Sequence, residues 1–272
     1  MIKFNESDVF KNTSTYVLDV VSSNSFNDQG KYYNLCKEFL LDYTKASDII
    51  LTHSATAALE LSYQLLLKNN QKVLMPSFTF SSTANAVLKN SGGLIWSDIS
   101  LKNLCLDVNN AETIANYSYS DIVTPVHYGS GAADIQKLLN LSKQYKFEVI
   151  EDSAQSLGVF VDEKHVGTFG KFGVISFHNT KFIHAGFGGA LLINDYSYFD
   201  EAMEIYNRGT NRHLFQKGVV NKYNWTQPGS SHGNSDINFA VLFSQLEKID
   251  EIIEKRRNLY IRYENMAENL SE

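Results

Sequence analysis

Proline is scarce in this chain, three residues in 272, and no Pro- or Ser-rich stretch marks a linker. The length suits one large domain or about two smaller ones. Cysteine is scarcer still. Cys36 and Cys105 lie far apart and in no CxxC pattern, which speaks against a secreted disulfide framework and reads as two inert, buried thiols. No apolar run approaches the roughly 20 residues of a membrane helix. The opening MIKFNESDVF lacks the apolar core of a signal peptide, so the expected compartment is the cytoplasm, with no membrane partner. Basic residues do not predominate: 24 Lys and Arg against 30 Asp and Glu give a net charge of −6. That balance argues against nucleic acid as the main partner, yet leaves room for a local basic pocket around a small phosphate. What the chain does have is apolar residue, 43% of the total, ample for a substantial core.

Those residues fall in short, near-continuous runs: KVLMP (72–76), GLIWSD (93–98), DIVTPVHY (121–128), FEVIED (147–152), GVISFH (173–178) and GALLIN (189–194). Strands buried on both faces read this way. Helical patterns lie between several of them. SATAALELSYQLLLKN opens on Ser54, a good N-cap, and repeats Leu at helical spacing. ADIQKLLNLSKQYK sets Ile135, Leu138 and Leu139 on one face. Alternating strands and helices predict an α/β fold with a largely parallel sheet. From about Ile237 to Asn269 the pattern is helical, with Ile249, Ile252, Ile253 and Tyr260 among charged residues, and predicts a long amphipathic helix that packs on something further.

Three stretches carry chemistry. In VIEDSAQS (149–156) a buried strand ends in Glu151 and Asp152. Ligands of open α/β sheets bind beyond the carboxyl ends of strands, and successive residues point to opposite faces, so one acid should face a ligand and the other should not. In SFH (176–178), Ser176 and His178 share a strand face, and Lys181 follows. Lysine becomes a nucleophile when burial or a nearby cation keeps it neutral. Glycines 186, 188 and 189 let backbone pass close to a ligand. In LTHSATAALEL (51–61), the N–H groups of Ala55 and Thr56, with the hydroxyls of Ser54 and Thr56, make an anion site at a positive helix end. A phosphate seat, a strand-end acid and a lysine together match pyridoxal 5'-phosphate, whose aldehyde takes the amine and whose ring nitrogen pairs with the acid. A metal site drawn from His127, His178, His184 and Asp152 lacks paired-ligand spacing and is not expected.

The stretches SATAALEL, MPSFTFSSTANAVL, PVHYGS, VIEDSAQSLG, GTFGKFGVISFHNTK, GALLIND and RGTNRHLFQKGVVNKYNW resemble, in order, those of the DegT/DnrJ/EryC1/StrS sugar aminotransferases. The resemblance implies the large domain of a type I pyridoxal phosphate-dependent aminotransferase fold over residues 1–235, a mostly parallel central sheet flanked by helices, then a long connecting helix over 236–272. Lys181 would hold the cofactor aldehyde and Asp152 the pyridine nitrogen. Gln155 would reach the ring hydroxyl, Ser54, Ala55, Thr56 and Ser176 the phosphate, Phe80 the ring face, and His178 the substrate side. The last stretch, with GSS at 229–231, is most similar to the subgroup acting at C4 of dTDP-4-keto-6-deoxyhexoses. It implies amino transfer from glutamate to a dTDP-4-keto-6-deoxyhexose, giving a 4-amino-4,6-dideoxy sugar nucleotide for O-antigen, lipopolysaccharide or other cell-surface polysaccharide. It also implies a homodimer, in which residues near Asn224–Ser231 reach the neighbouring subunit's cofactor. Arg208, Arg212, Lys217 and Lys222 are the candidates for the substrate diphosphate.

Two departures stand out. The family's glycine cluster usually includes an acid, and Phe187 stands here in a loop that reads one residue short. The chain also reads as lacking the family's small C-terminal domain. The alternatives are therefore a cofactor-binding protein of this fold with little or no activity, or a C3 sugar aminotransferase. A histidine in the lysine position would mark a dehydratase, which Lys181 argues against.

Overall fold

The computed structural model describes residues 9–268. Its strands are β1 (Asp48–Thr52), β2 (Lys72–Pro76), β3 (Gly93–Ser97), β4 (Ile122–Val123), β5 (Glu148–Asp152), β6 (Phe160–Val161), β7 (Lys164–His165), β8 (Phe172–Ser176) and β9 (Gly189–Ile193). Its helices are α1 (Lys11–Ser22), α2 (Lys31–Thr44), α3 (Ala55–Leu66), α4 (Ser81–Lys89), α5 (Val108–Tyr117), α6 (Ile135–Tyr145), α7 (Phe199–Tyr206), α8 (Arg212–Gln216), α9 (Asp236–Leu246) and α10 (Ile249–Glu268). Seven strands form one sheet in the order β1-β9-β8-β5-β4-β2-β3, and β6 pairs with β7 apart from it. Strand β9 runs antiparallel to both β1 and β8, while the β2–β3, β2–β4, β4–β5 and β5–β8 pairs are parallel. This is the expected α/β fold with a mostly parallel sheet.

The period of two along the strands feeds two faces. Ile49 and Leu51 enter a layer with α1, α2 and α9, whereas Ile50 joins α3, α4 and α7. Farther along, Leu74, Val123 and Val149 pack with α5 and α6. Both faces of the sheet are thus covered, which is why its strands read as continuous apolar runs. Helix α3 starts where expected: Ser54 is extended (φ −164°, ψ 158°) and its side chain accepts from the Ala57 N–H. Strand β2 fills the expected 72–76. The expected strand over 121–128 shrinks to β4, because Pro125 has no N–H for a ladder; beyond it only an isolated bridge joins Val126 to Asp152.

The chain ends in a long helix as expected, α10, but its expected span needs correction: residues 236–268 form two helices, not one. Helix α9 buries Phe239, Ala240, Leu242 and Leu246 in the core that α1 and α2 share, so it belongs to the main body. The chain breaks at Glu247, whose carboxylate accepts from Asn12 Nδ2 (2.7 Å) and Tyr16 Oη (2.9 Å) on α1. Only α10 projects, exposed beyond Ile253. Asn269 and residues 270–272 lie outside the described residues, as do residues 1–8, on which most of the leader reading falls. Among the described residues no helix is long and apolar enough to cross a membrane.

Candidate active site

Strands β1, β2, β5 and β8 run the same way, so their carboxyl ends share one edge of the sheet, where ligands of such folds bind. The start of α3 follows β1 and the start of α4 follows β2. Asp152 ends β5. Ser176 ends β8, and Lys181 lies five residues beyond it.

The two acids at the end of β5 have opposite surroundings. Glu151 is fully buried. It accepts from the N–H groups of Gly167 (2.8 Å), Phe169 (2.7 Å) and Gly170 (2.7 Å) and meets His127 Nε2 at 3.0 Å. Burial alone would push this carboxyl up, but His127 and the backbone donors hold it below its ordinary value. Glu151 has no capacity left for a ligand; it ties the loop after β4 and the loop before β8 to the end of β5. Asp152 accepts from Thr83 Oγ1 at 2.7 Å on one oxygen and from the Ala154 N–H at 3.1 Å on the other. Each oxygen retains acceptor capacity.

Lys181 is carried by the β8–β9 connection. Hydrogen bonds from Phe177 N to Gly188 O (2.8 Å), Asn179 N to Gly186 O (2.9 Å) and Ala185 N to Phe177 O (2.9 Å) cross that loop and bring its two sides together. Gly186 makes the turn possible with φ +76°. Asn238 Nδ2 and Asn234 Nδ2 donate to the carbonyls of Ala185 (2.9 Å) and Phe187 (2.8 Å), pinning the loop to α9 and its approach. The Lys181 side chain is partly buried. Among the described residues its amine forms no ion pair. Burial lowers its affinity for a proton, and the charge of Asp152 pulls the other way without cancelling the effect. The amine thus feels the charge of the strand-end acid.

Gly189, opposite Ser176 in the β8–β9 register, lies so close to α3 that a Cβ there would collide with Ser54 and the Ala55 N–H. This contact seats Ser176 beside the first turn of α3. Ser54 and its carbonyl take the N–H groups of Ala57 and Ala58, leaving those of Ala55 and Thr56 as the open donors of that end. The Thr56 hydroxyl meets Ser82 Oγ at 2.7 Å. Phe80, at the N-cap of α4, is 72% exposed. Gln155 is exposed in the turn after β5. The strand ends at Ser176, so His178 does not share a strand face with it. Its Nδ1 lies 3.0 Å from Thr180 Oγ1, and its ring meets Phe187 edge-on at 5.5 Å between centroids.

The basic residues divide. Arg208 and Arg212 line one cleft of about 370 Å³ with Phe26, Asp28, Ser231 and Asn234, and the same Asn234 holds the Phe187 carbonyl. Lys217 instead lies over the Phe199 ring at 5.4 Å, and Lys222 is exposed. Residues 224–231 fold back on their own chain through the bridges Thr210–Trp225 and Asn207–Ser231.

Residues 8–272 match the DegT/DnrJ/EryC1/StrS aminotransferase family along almost the whole sequence. The chain belongs to that family. EpsN of Bacillus subtilis is 30% identical over 261 residues, which are 94% of this chain and 66% of EpsN. GDP-perosamine synthase of Vibrio cholerae is 26% identical over 95% of this chain and 69% of its own length. Among solved structures, the PLP form of Spr1654 from Streptococcus pneumoniae superposes with a TM-score of 0.86 at 20% identity, covering 97% of this chain and 71% of that one. The chain thus spans about two thirds of the length of these relatives.

The DegT/DnrJ/EryC1/StrS aminotransferases depend on pyridoxal phosphate. The residues present fit that group: two open N–H donors and hydroxyls at one helix end, an amine without an ion pair, an acid with acceptor capacity to spare, and an exposed aromatic at the start of α4. Among the described residues no cluster of three or more His, Cys, Asp or Glu side chains is placed to hold a metal. Sequence reasoning missed Thr83 and Ser82. Their signal was the hydroxyl run SFTFSST, which reads equally well as ordinary capping chemistry.

Proposed function

We propose that the chain is a pyridoxal phosphate-dependent sugar-nucleotide aminotransferase. In this reading it moves an amino group from glutamate to C4 of a dTDP-4-keto-6-deoxyhexose, as a homodimer in the cytoplasm, for cell-surface polysaccharide. One observation carries the proposal: a partly buried lysine that forms no ion pair among the described residues and feels the charge of a strand-end aspartate, at the sheet edge where α3 presents an open end. When bound, the cofactor supplies an aldehyde for amines and a ring that takes up electrons.

The chain's own groups have distinct roles in this reading. Lys181 would hold the aldehyde, and its Nζ would carry the proton at the donor's Cα. Burial favours the neutral amine that both tasks require. Asp152 accepts from the ring N–H. Ala55, Thr56, Ser54 and Ser176 bind the phosphate. Phe80 would cover one ring face, Gln155 would reach the ring hydroxyl, and His178 would border the substrate. Arg208 and Arg212 pair with the diphosphate; Asp28 in the same cleft favours sugar hydroxyls over further negative charge. The sugar-nucleotide activities named for relatives such as GDP-perosamine synthase support the substrate class.

The test is direct. The protein is mixed with pyridoxal phosphate, reduced with borohydride and digested, and the label should sit on Lys181. Glutamate added before reduction should change the visible spectrum and prevent labelling. A nucleotide-linked 4-keto-6-deoxy sugar should then restore both. Label on another lysine would overturn the site assignment. Phe187, set edge-on against His178 in the loop after Lys181 where an acid is expected, favours one second reading, cofactor binding without sugar turnover. Correct labelling with no response to any keto sugar would select it.

A further inference from the structure

We propose that Thr83, backed by Thr79, is a positioning residue that fixes the orientation of the Asp152 carboxylate toward a bound pyridine nitrogen. This rests on the cofactor site proposed above. The bonding is directional. Thr83 Oγ1 donates to Asp152 Oδ2 at 2.7 Å. Its single proton is spent there, so the 2.8 Å contact between the hydroxyls of Thr79 and Thr83 is donated by Thr79. The chain of donors runs one way, Thr79 to Thr83 to Asp152. The Ala154 N–H holds the second carboxylate oxygen at 3.1 Å. Turning the carboxylate breaks both bonds, and Thr83 is fully buried, so no solvent water replaces the lost donor.

The backbone of Asp152 is anchored separately. Its N–H donates to the Pro125 carbonyl (3.0 Å), and its own carbonyl accepts from His127 N (3.0 Å). Removing the Thr83 hydroxyl therefore releases the side chain and leaves the strand end in place. The same turn of α4 carries Ser82, joined to Thr56 at the start of α3, and Phe80 immediately precedes it. One helix start thereby sets the spacing between the anion end of the site, the ring face and the acid.

Thr83→Val keeps the shape and removes the donor; Thr83→Ser keeps the donor. Pyridoxal phosphate affinity, measured by equilibrium dialysis, should fall about tenfold in Thr83→Val, the scale of one lost hydrogen bond to a charged group. In Thr83→Ser it should stay within about threefold. In an Asp152→Asn background, Thr83→Val should add nothing further. A readout without cofactor accompanies these. The pH midpoint of Lys181 acylation, followed by mass spectrometry of the apoprotein, should rise in Thr83→Val as the released carboxylate turns toward the amine, and should not move in Thr83→Ser. If Thr83→Val fails to fold, Thr79→Val, at a partly exposed site, takes its place with a smaller loss in the same direction. Parental affinity together with a parental Lys181 midpoint in Thr83→Val overturns the inference. So does a loss shared equally by Thr83→Ser, or one that persists undiminished beside Asp152→Asn. If the parent itself takes no cofactor at Lys181, the functional reading fails, and the apoprotein midpoint still decides the role of Thr83.

Discussion

His127 Nε2 and a carboxylate oxygen of Glu151 meet at 3.0 Å, with both side chains wholly shielded from water. The pair joins the end of β5 to the loop after β4, and the backbone donors on Glu151 add the loop before β8. Removing one member leaves the other buried without its partner. Glu151→Ala should cost about 3–5 kcal/mol of folding stability, read as a shift of the urea midpoint at unchanged slope. The folded carboxyl titrates below its ordinary value of 4.5. Its contribution is therefore complete above that value and is lost as pH falls through the folded one. A midpoint that Glu151→Ala leaves unmoved at neutral pH would refute the account.

Gly189→Ala should be among the most damaging single changes at the site. The added methyl meets backbone of Ser54 and Ala55, which cannot swing away as a side-chain tip can. Strand β9 must shift against α3, at a cost of about 1–3 kcal/mol. The open N–H groups of α3 then lose register with Ser176. Phosphate or pyridoxal phosphate affinity should drop while the far-UV circular dichroism stays that of the parent. Unimpaired binding would show that the close approach has no part in the site.

The amine of Lys181 should titrate below the ordinary 10.5. Burial is the larger influence and Asp152 opposes it. Asp152→Asn removes the opposing charge and should lower the midpoint further. Acylation rates against pH, with Lys171 as an internal reference, measure both. Lys171 should move the opposite way: burial lowers it, but Asp195 and Glu148 more than compensate. A Lys181 midpoint that rises in Asp152→Asn would place the acid out of electrical reach.

Acid should weaken the fold before the carboxylates protonate. His165 and His232 are buried, and burial depresses each from 6.5 to about 4. A depressed histidine takes its proton in the unfolded chain first. Its stabilising effect is present above the unfolded value and declines as pH falls from 6.5 toward 4, levelling off below. The slope is at most about 1.4 kcal/mol per pH unit for each residue. His232→Gln should flatten the decline of melting temperature in that window and leave the region above pH 7 little changed. An equally steep decline in the double variant of His165 and His232 would assign it elsewhere.

The legible parts of the fold were those fixed by local chemistry. Ser54 announced α3, and KVLMP delimited β2. The strand direction of β9 was not legible, since apolar periodicity carries no sense of direction. Strand β1 was missed because DIILT runs straight into the small-residue turn that drew attention to Ser54. The helix break at Glu247 has no glycine or proline to mark it, and its carboxylate's partners, Asn12 and Tyr16, are far away in sequence. At the site, alternation foretold that Glu151 and Asp152 would part ways, but not that Glu151 would be sealed among backbone donors. His178 was read as a strand residue because SFH continues the apolar rhythm, yet the ladder with β9 stops at Ser176. Thr83 was unreadable for another reason. A threonine in a helix's first turn is commonplace, and only tertiary folding brings Asp152 to it.

Helix α10 leaves the body after Ile253. Arg256 lies over the Phe182 ring at 5.7 Å, and farther out Leu259, Tyr260, Tyr263 and Met266 face solvent. Those exposed turns carry their own backbone ladder and i, i+4 links such as Tyr260 to Glu264, which stabilise a helix only weakly. Amide protons there should exchange with deuterium by local fraying, while those of α9 wait for global opening. Two consecutive helices would then differ by orders of magnitude in exchange lifetime, and a protease would find its first cut in the outer one.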